Sequence, residues 1–376
     1  MDMAATDIET VEERIRREFA ELVGFDSVSL NERETADRLR ARLEELGFAV
    51  EEDGAGEVLG GNAGNLHAWL PGTAAGEPIL LCGHMDVVEP GRGKRAVFHR
   101  DGVITSDGST VLGADDIAAI VEILEGVRAV LASGRPHRAI EVIFCVDEEA
   151  YDGGSRALDY GRIRGREAYV LDLAGAPGTA AVAAPTLISF TATVTGKAAH
   201  AGFEPERGVN AIAAVAAAIA RLPQGHVNDH TTLNVGTIRG GAQANVVSER
   251  CTCAGEVRSS DHTEALATVE TVRRTFTEAA EAIGARATVD AEVRIKAYRT
   301  RGDAPAVKRF QEACRELGLA GELVETFGGS DNNSFAEHGI EGIVLSCGMM
   351  NPHSTKEYVR IEDLLTGAKL VERLIG

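Results

Sequence analysis

The sequence predicts an α/β protein in two parts: a domain on a mixed, mostly parallel sheet, and an inserted ferredoxin-like domain of order β-α-β-β-α-β. Three observations carry this. Short, wholly apolar runs alternate with helical patterns through residues 1–181 and again through 296–376, as in parallel sheets covered on both faces. Between 182 and 295 the order becomes strand, helix, strand, strand, helix, strand, the split βαβ sandwich. At 376 residues the chain is long enough for two or three domains.

The elements follow from their spacing. Over residues 1–25, Ile8, Val11, Ile15, Phe19, Leu22 and Val23 recur on one helical face, and a second helix spans Glu34 to Leu46. Pro78 to Cys82 is an apolar strand. Ile117, Ile120, Val121, Leu124 and Val127 make Asp116 to Leu131 a helix, and strands follow at Ile140 to Val146 and Ala168 to Leu173. In the inserted part, strands are expected at Leu187 to Thr195, Thr232 to Arg239, Val246 to Arg258 and Ala287 to Ala297. Its helices are an Ala-rich one at Asn210 to Leu222 and a long one at His262 to Ile283. The first domain then resumes with helices at Ala304 to Leu317 and Asn333 to His338, a strand at Ile343 to Cys347 and a closing helix at Ile361 to Leu374.

Composition excludes several functions. Asp and Glu number 58 against 38 Lys and Arg, a net charge of −20 that repels phosphate backbones and argues against nucleic-acid binding. No 18 apolar residues run together, so no membrane span is expected, and no basic–apolar leader opens the chain. The six cysteines form no CxxC pair. They read as buried free thiols of a reducing cytoplasm.

Chemistry gathers where open α/β sheets bind ligands, just past the carboxyl ends of strands. His84-Met85-Asp86 ends the first strand; alone, an H-x-D triplet is usually a surface loop, although Asp86 could accept the second N–H of a ligating His84. Asp115-Asp116 opens a helix, where an acidic first turn is ordinary, or else supplies a carboxylate between two cations. Asp147-Glu148-Glu149 is a solvated charge run, or a pair in which one carboxylate holds metal and its neighbour takes a proton. Asp172 ends the next strand, and His353 follows the last; each is bland by itself. Together, two His, two Glu and two Asp at the strand ends of one sheet form an N/O donor set for zinc or a neighbouring divalent metal. A solvated acidic rim would not need the histidines.

Over nearly its whole length the chain resembles the peptidase T, carboxypeptidase G and aminoacylase group of two-metal exopeptidases, peptidase T-like proteins most of all. The resemblance rests on Gly83-His84-Met85-Asp86, Ser106-Asp107-Gly108 through Gly113-Ala114-Asp115-Asp116, Asp147-Glu148-Glu149, Gly196-Lys197-Ala198-Ala199-His200-Ala201-Gly202, Gly328-Gly329-Ser330-Asp331 and His353-Ser354-Thr355. It implies that His84, Asp115 and Asp172 hold one divalent ion and Asp115, Glu149 and His353 a second. Zinc is the expected metal, with cobalt or manganese as alternatives. It further implies that Glu148 is general base and then acid toward a water between the metals, that Asp86 supports His84, and that a cis peptide joins Asp115 to Asp116. The inserted domain becomes a lid and dimerisation surface, from which His200 stabilises the oxyanion in the neighbouring subunit while Asn245 and Arg258 hold the substrate carboxylate.

The expected function is thus hydrolysis of a terminal bond in short peptides, tripeptides among them, by a cytoplasmic homodimer without nucleic-acid or membrane partners. A deacylase of N-acyl amino acids on the same chemistry, and a non-catalytic metal-binding protein on the same fold, remain open. The segment Ala150-Tyr151-Asp152-Gly153 departs from the family's small-apolar pattern beside the paired glutamates, and the resemblance puts Tyr151 near the substrate pocket.

Overall fold

The computed structural model describes residues 9–376, so Ile8 of the first helical pattern lies outside the described residues. It has the expected class: a mixed, mostly parallel sheet with helices, and a separate antiparallel sheet. Among the described residues, those up to Val182 together with Arg299–Glu325 and Ser330–Gly376 form one compact unit, and Ala183–Tyr298 with Thr326–Gly329 form another.

In the first unit four parallel strands lie in the order Ile140–Cys145, Ile79–His84, Glu167–Leu173, Glu341–Ser346. The first two are buried at every position, which is why they read as unbroken apolar runs rather than alternating ones. Leu81 sits opposite Val142 on one side and Tyr169 on the other. Two antiparallel strands, Leu66–Leu70 and Ala49–Glu52, extend one edge and were not legible in sequence, since their residues are largely half-buried and mix His67, Glu51 and Glu52 among apolar ones. Thr179–Ala184 continues the other side, antiparallel to Glu341–Ser346.

The helix Ala114–Ser133 is buried on nearly all faces over its first half and packs between the sheet, Val11–Val23 and Ile361–Ile375. Its backbone comes so close to the last of these that a Cβ on Gly126 would stand 2.6 Å from the Val371 side chain. Thr10 and Glu13 close a reciprocal capping box at the start of Val11–Val23. Ile79–His84 has its chain-successor Ile140–Cys145 on one flank and Glu167–Leu173 on the other, so strand order reverses about it. A crevice therefore opens at the carboxyl ends of these strands.

The second unit is an antiparallel sheet in the order Gly225–His226, Thr231–Gly240, Arg250–Ser259, Thr186–Thr195, Arg286–Ile295. Ignoring the two-residue strand, that is the 2-3-1-4 arrangement of a ferredoxin-like fold. The helices Ala211–Arg221, capped by the Asn210 side chain, and His262–Glu281, capped by Asp261, pack on its core-facing side around Phe190, Val257 and Phe276. The strand expected from Val246 begins instead at Arg250. Val246 and Val247 turn aside to meet His200 and Ala199, with the Val247 N–H donating to the Ala199 carbonyl at 2.9 Å.

Candidate metal centre and active site

The carboxyl ends of the parallel strands bring His84, Asp115, Glu148, Glu149, Asp172 and His353 together. His84 is the last residue of its strand and is buried; its Nε2 lies 3.1 Å from Asp115 Oδ1 and 3.9 Å from both Asp172 Oδ1 and Glu148 Oε2. On the other side of Asp115, Oδ2 lies 3.3 Å from His353 Nε2, which in turn lies 2.9 Å from Glu149 Oε2. Two donors each about 2.0–2.1 Å from one tetrahedral ion stand about 3.3 Å apart, so these separations suit N/O ligands closing on cations. Three triads, His84–Glu148–Asp172, His84–Asp115–Glu149 and Asp115–Asp116–Asp172, have donor atoms within 4.8 Å of one another. One Glu149 oxygen is buried without any hydrogen-bond partner, an orphan acceptor that a cation would satisfy.

The local backbone explains how these side chains arrive. Asp115 and Asp116 are joined by a cis peptide and have non-helical dihedrals, so regular helix begins only after them. Asp116 turns inward, and its Oδ2 accepts the His84 N–H at 3.1 Å. A Cβ on Gly83 would stand 2.7 Å from the same oxygen, which is why a glycine precedes the histidine. Asp147 at φ 54° and His353 at φ 58° adopt left-handed backbone, a region that Asp, Asn and His enter more readily than other side chains.

Asp86 meets more than His84. His84 Nδ1 donates to the Asp86 backbone carbonyl at 3.0 Å, with the carboxylate farther away at 3.5 Å. The carboxylate itself accepts from the Glu148 N–H (2.9 Å), the Glu149 N–H (3.1 Å) and the Ser29 hydroxyl (2.6 Å). It thereby fixes the backbone that presents both glutamates, besides orienting His84.

The electrostatics are those of crowded, dehydrated anions. Burial raises Glu148 and Asp172 well above the ordinary carboxylate range, reinforced for Glu148 by Asp172 and for Asp172 by Asp115. Burial raises Glu149 too, against the hydrogen bond from His353. Hydrogen bonds to Asp115 and Glu149 raise His353 to about 10. Burial works against a charged His84, yet Asp115 and Asp86 hold its pKa well above the usual value. Divalent cations would relieve this repulsion and displace the protons from both histidines.

In the second unit His200 and Asn245 are exposed. The N–H groups of Gly202 and Phe203 both donate to His200 Nδ1, at 3.1 and 3.2 Å, so in the neutral ring the proton sits on Nε2, free to donate outward. The main-chain carbonyl of Asn245 accepts the Ala201 N–H at 3.0 Å, tying it to the His200 loop. Arg258 forms a two-pronged pair with Glu256 at 2.8 and 3.3 Å and donates to the Phe327 carbonyl at 2.8 Å. Its guanidinium is already engaged, which the sequence did not reveal.

Two site-supporting residues went unread. Ser29 lies far upstream in a segment without pattern, and Glu357 sits in a charged turn that looks solvated. Both are defined only by partners distant in sequence.

A family model described as a peptidase dimerisation domain, of the M20 type, matches residues 182–301. The model of peptidase family M28 matches residues 65–214, the stretch that carries His84, Asp115, Glu148, Glu149 and Asp172. The chain is 36% identical over 364 residues to the uncharacterized protein YqjE of Bacillus subtilis, covering 97% of this chain and 98% of that one. Among solved structures, aminopeptidase PepT from Bacillus cereus is 38% identical with a TM-score of 0.89, over 97% of this chain and 98% of that one. A tripeptidase from Staphylococcus aureus is 32% identical with a TM-score of 0.94, over 98% of each chain.

Proposed function

The chain belongs to the peptidase T-like M20 peptidases and is a metal-dependent exopeptidase, and from that premise we propose that it removes a terminal residue from short peptides, tripeptides among them, using two divalent ions. The observation that carries the two-ion reading is the division of Asp115, whose Oδ1 faces His84 at 3.1 Å and whose Oδ2 faces His353 at 3.3 Å. A carboxylate so divided suits a bridge, with His84 and Asp172 completing one ligand set and Glu149 and His353 the other. The N/O donors suit zinc, with cobalt and manganese as alternatives. Bound there, the ions would supply Lewis acidity toward the scissile carbonyl and acidify water.

The remaining steps fall to this chain's residues. Glu148, held by its N–H on Asp86 and pushed by burial toward the protonated form, takes the attacking water's proton and returns it to the departing amine. His200, with its proton on Nε2, donates to the developing oxyanion. Asn245 and Arg258 hold the substrate carboxylate; Arg258 must then share or exchange its bond to Glu256.

The protein acts as a homodimer through the inserted unit. Past Leu233 the outer edge of the strand Thr231–Gly240 pairs with no other strand among the described residues, and Ile238 on it is 51% exposed. Six buried free cysteines, and the absence among the described residues of any helix long and apolar enough to cross a membrane, accord with a cytoplasmic location.

Two measurements test the reading. Protein reconstituted with excess zinc and then desalted should carry two ions per chain; a firm plateau at one or none sinks the two-ion assignment. Di- and tripeptides with free termini should be cleaved in preference to N-acyl amino acids, and the reverse preference would make the protein a deacylase.

A further inference from the structure

Glu357 is a buried acidic side chain bound to backbone beside the metal centre. It lies four residues after His353, is 1% exposed, and accepts two main-chain hydrogen bonds from a segment more than 240 positions away. Oε2 accepts the Gly113 N–H at 2.7 Å and Oε1 the Asp115 N–H at 2.9 Å. These N–H groups flank the bend that turns Asp115 into the site, where no helical partner is available to them.

The turn that carries His353 needs such an anchor. Asn351 and His353 both have left-handed backbone, and the His353 side chain is 57% exposed, so little packing holds the imidazole in place. Within the turn, the Ser354 hydroxyl donates to the Asn351 carbonyl and the Glu357 N–H to the Ser354 carbonyl, which makes the turn locally rigid without attaching it to the sheet. The Met350–Tyr358 bridge closes its base. Glu357 is the residue of this turn whose side chain is buried against the Asp115 segment.

We propose that Glu357 is a positioning residue that clamps the His353 turn onto the Asp115 segment, setting the separation of two ligands of the same ion. The inference rests on the reading that Asp115 and His353 are ligands. It predicts that loosening the clamp weakens one ion more than the other, because His84, Asp172 and the Asp86-held glutamates do not depend on it. Outer residues that orient metal ligands are typically worth about 10–100-fold in affinity.

The test is zinc affinity of the full-length protein, by competition with a chromophoric chelator, for wild type, Glu357→Gln and Glu357→Ala. Wild type should bind two ions. Glu357→Gln fills the same space, but its NH₂ must face one of the two N–H donors; it should weaken the weaker-held ion about 10-fold, and Glu357→Ala by up to about 100-fold. The stronger-held ion should change by less. The metal-free proteins are compared by thermal unfolding as well: a purely structural glutamate would lower that midpoint and leave both zinc affinities alone. Wild-type affinity in both variants overturns the clamp. So does loss in Glu357→Ala alone, since that would mark packing rather than hydrogen bonding. If Glu357→Ala fails to fold, Glu357→Gln decides by itself. Failure of wild type to bind zinc would instead reject the ligand assignment, and the clamp with it.

Discussion

At the scale of single residues, the neighbours Glu148 and Glu149 divide by what each meets. Glu149 Oε2 lies 2.9 Å from His353 and its other oxygen has no partner, the environment of a ligand. Glu148 lies 3.9 Å from His84 and near Asp172, and burial drives it toward protonation, the environment of a group that takes up a proton. Glu148→Gln should therefore keep its metal and lose roughly 10²–10⁴-fold in turnover, because an amide cannot accept the proton. Glu149→Ala should lose activity together with metal. Elemental analysis beside kcat separates the two, and a Glu148→Gln enzyme working near the wild-type rate would show that the base lies elsewhere. Asp86 stands behind both, since its carboxylate takes their two N–H groups.

Between elements, the helix Arg33–Glu45 is fastened to the strand Ala49–Glu52 by charge. Arg33 meets Glu52 at 2.7 Å and Arg40 meets it at 3.1 Å, while Glu52 also accepts the Gly64 N–H at 2.9 Å. The Arg33 hydrogen bond, with help from Gly64 and Arg40 and against some burial, lowers the Glu52 pKa to about 2. A depressed carboxylate pKa stabilises the fold above the unfolded value near 4.5 and loses that contribution as pH falls toward the folded value. The cluster is partly solvated, so its worth is small. Glu52→Gln should cost up to about 1 kcal/mol at pH 7, and the gap from wild type should close between pH 4.5 and 2. Chemical denaturation across that range measures it; a gap independent of pH would mean that the glutamate acts through packing.

On the scale of the whole molecule, the proposed dimer makes each active site from two chains. His200→Ala and Glu148→Gln should each be inactive alone. Mixed under conditions that exchange subunits, half the dimers pair one of each, and one of their two sites combines His200 from one chain with Glu148 from the other. Equal mixtures should then regain about a quarter of wild-type activity. No recovery despite demonstrated exchange would place His200 in its own chain's site and leave the metal chemistry intact.

By itself, the sequence determined which segments become strands of the parallel sheet and which polar residues end them. A continuous apolar run such as Ile79 to Cys82 is stable only when covered on both faces, and a charged or histidine residue directly after it must then lie at the sheet's end, beside its neighbours' ends. His84, Asp147 to Glu149 and Asp172 were legible on that ground, as was the split βαβ order of the inserted part. Only the tertiary structure decided what holds them. Glu357 and Ser29 carry no mark of their partners in their own segments; hydropathy reads both as solvated, yet Glu357 is buried and Ser29 half-buried, where hydrogen-bond donors and acceptors arrive from segments 242 and 57 residues away. The division of Asp115 between two histidines, the use of the Asp86 carboxylate by the glutamate backbone and the engagement of Arg258 by Glu256 are likewise matters of direction. Local sequence limits where a side chain begins, and the packing of distant segments sets where its polar atoms point.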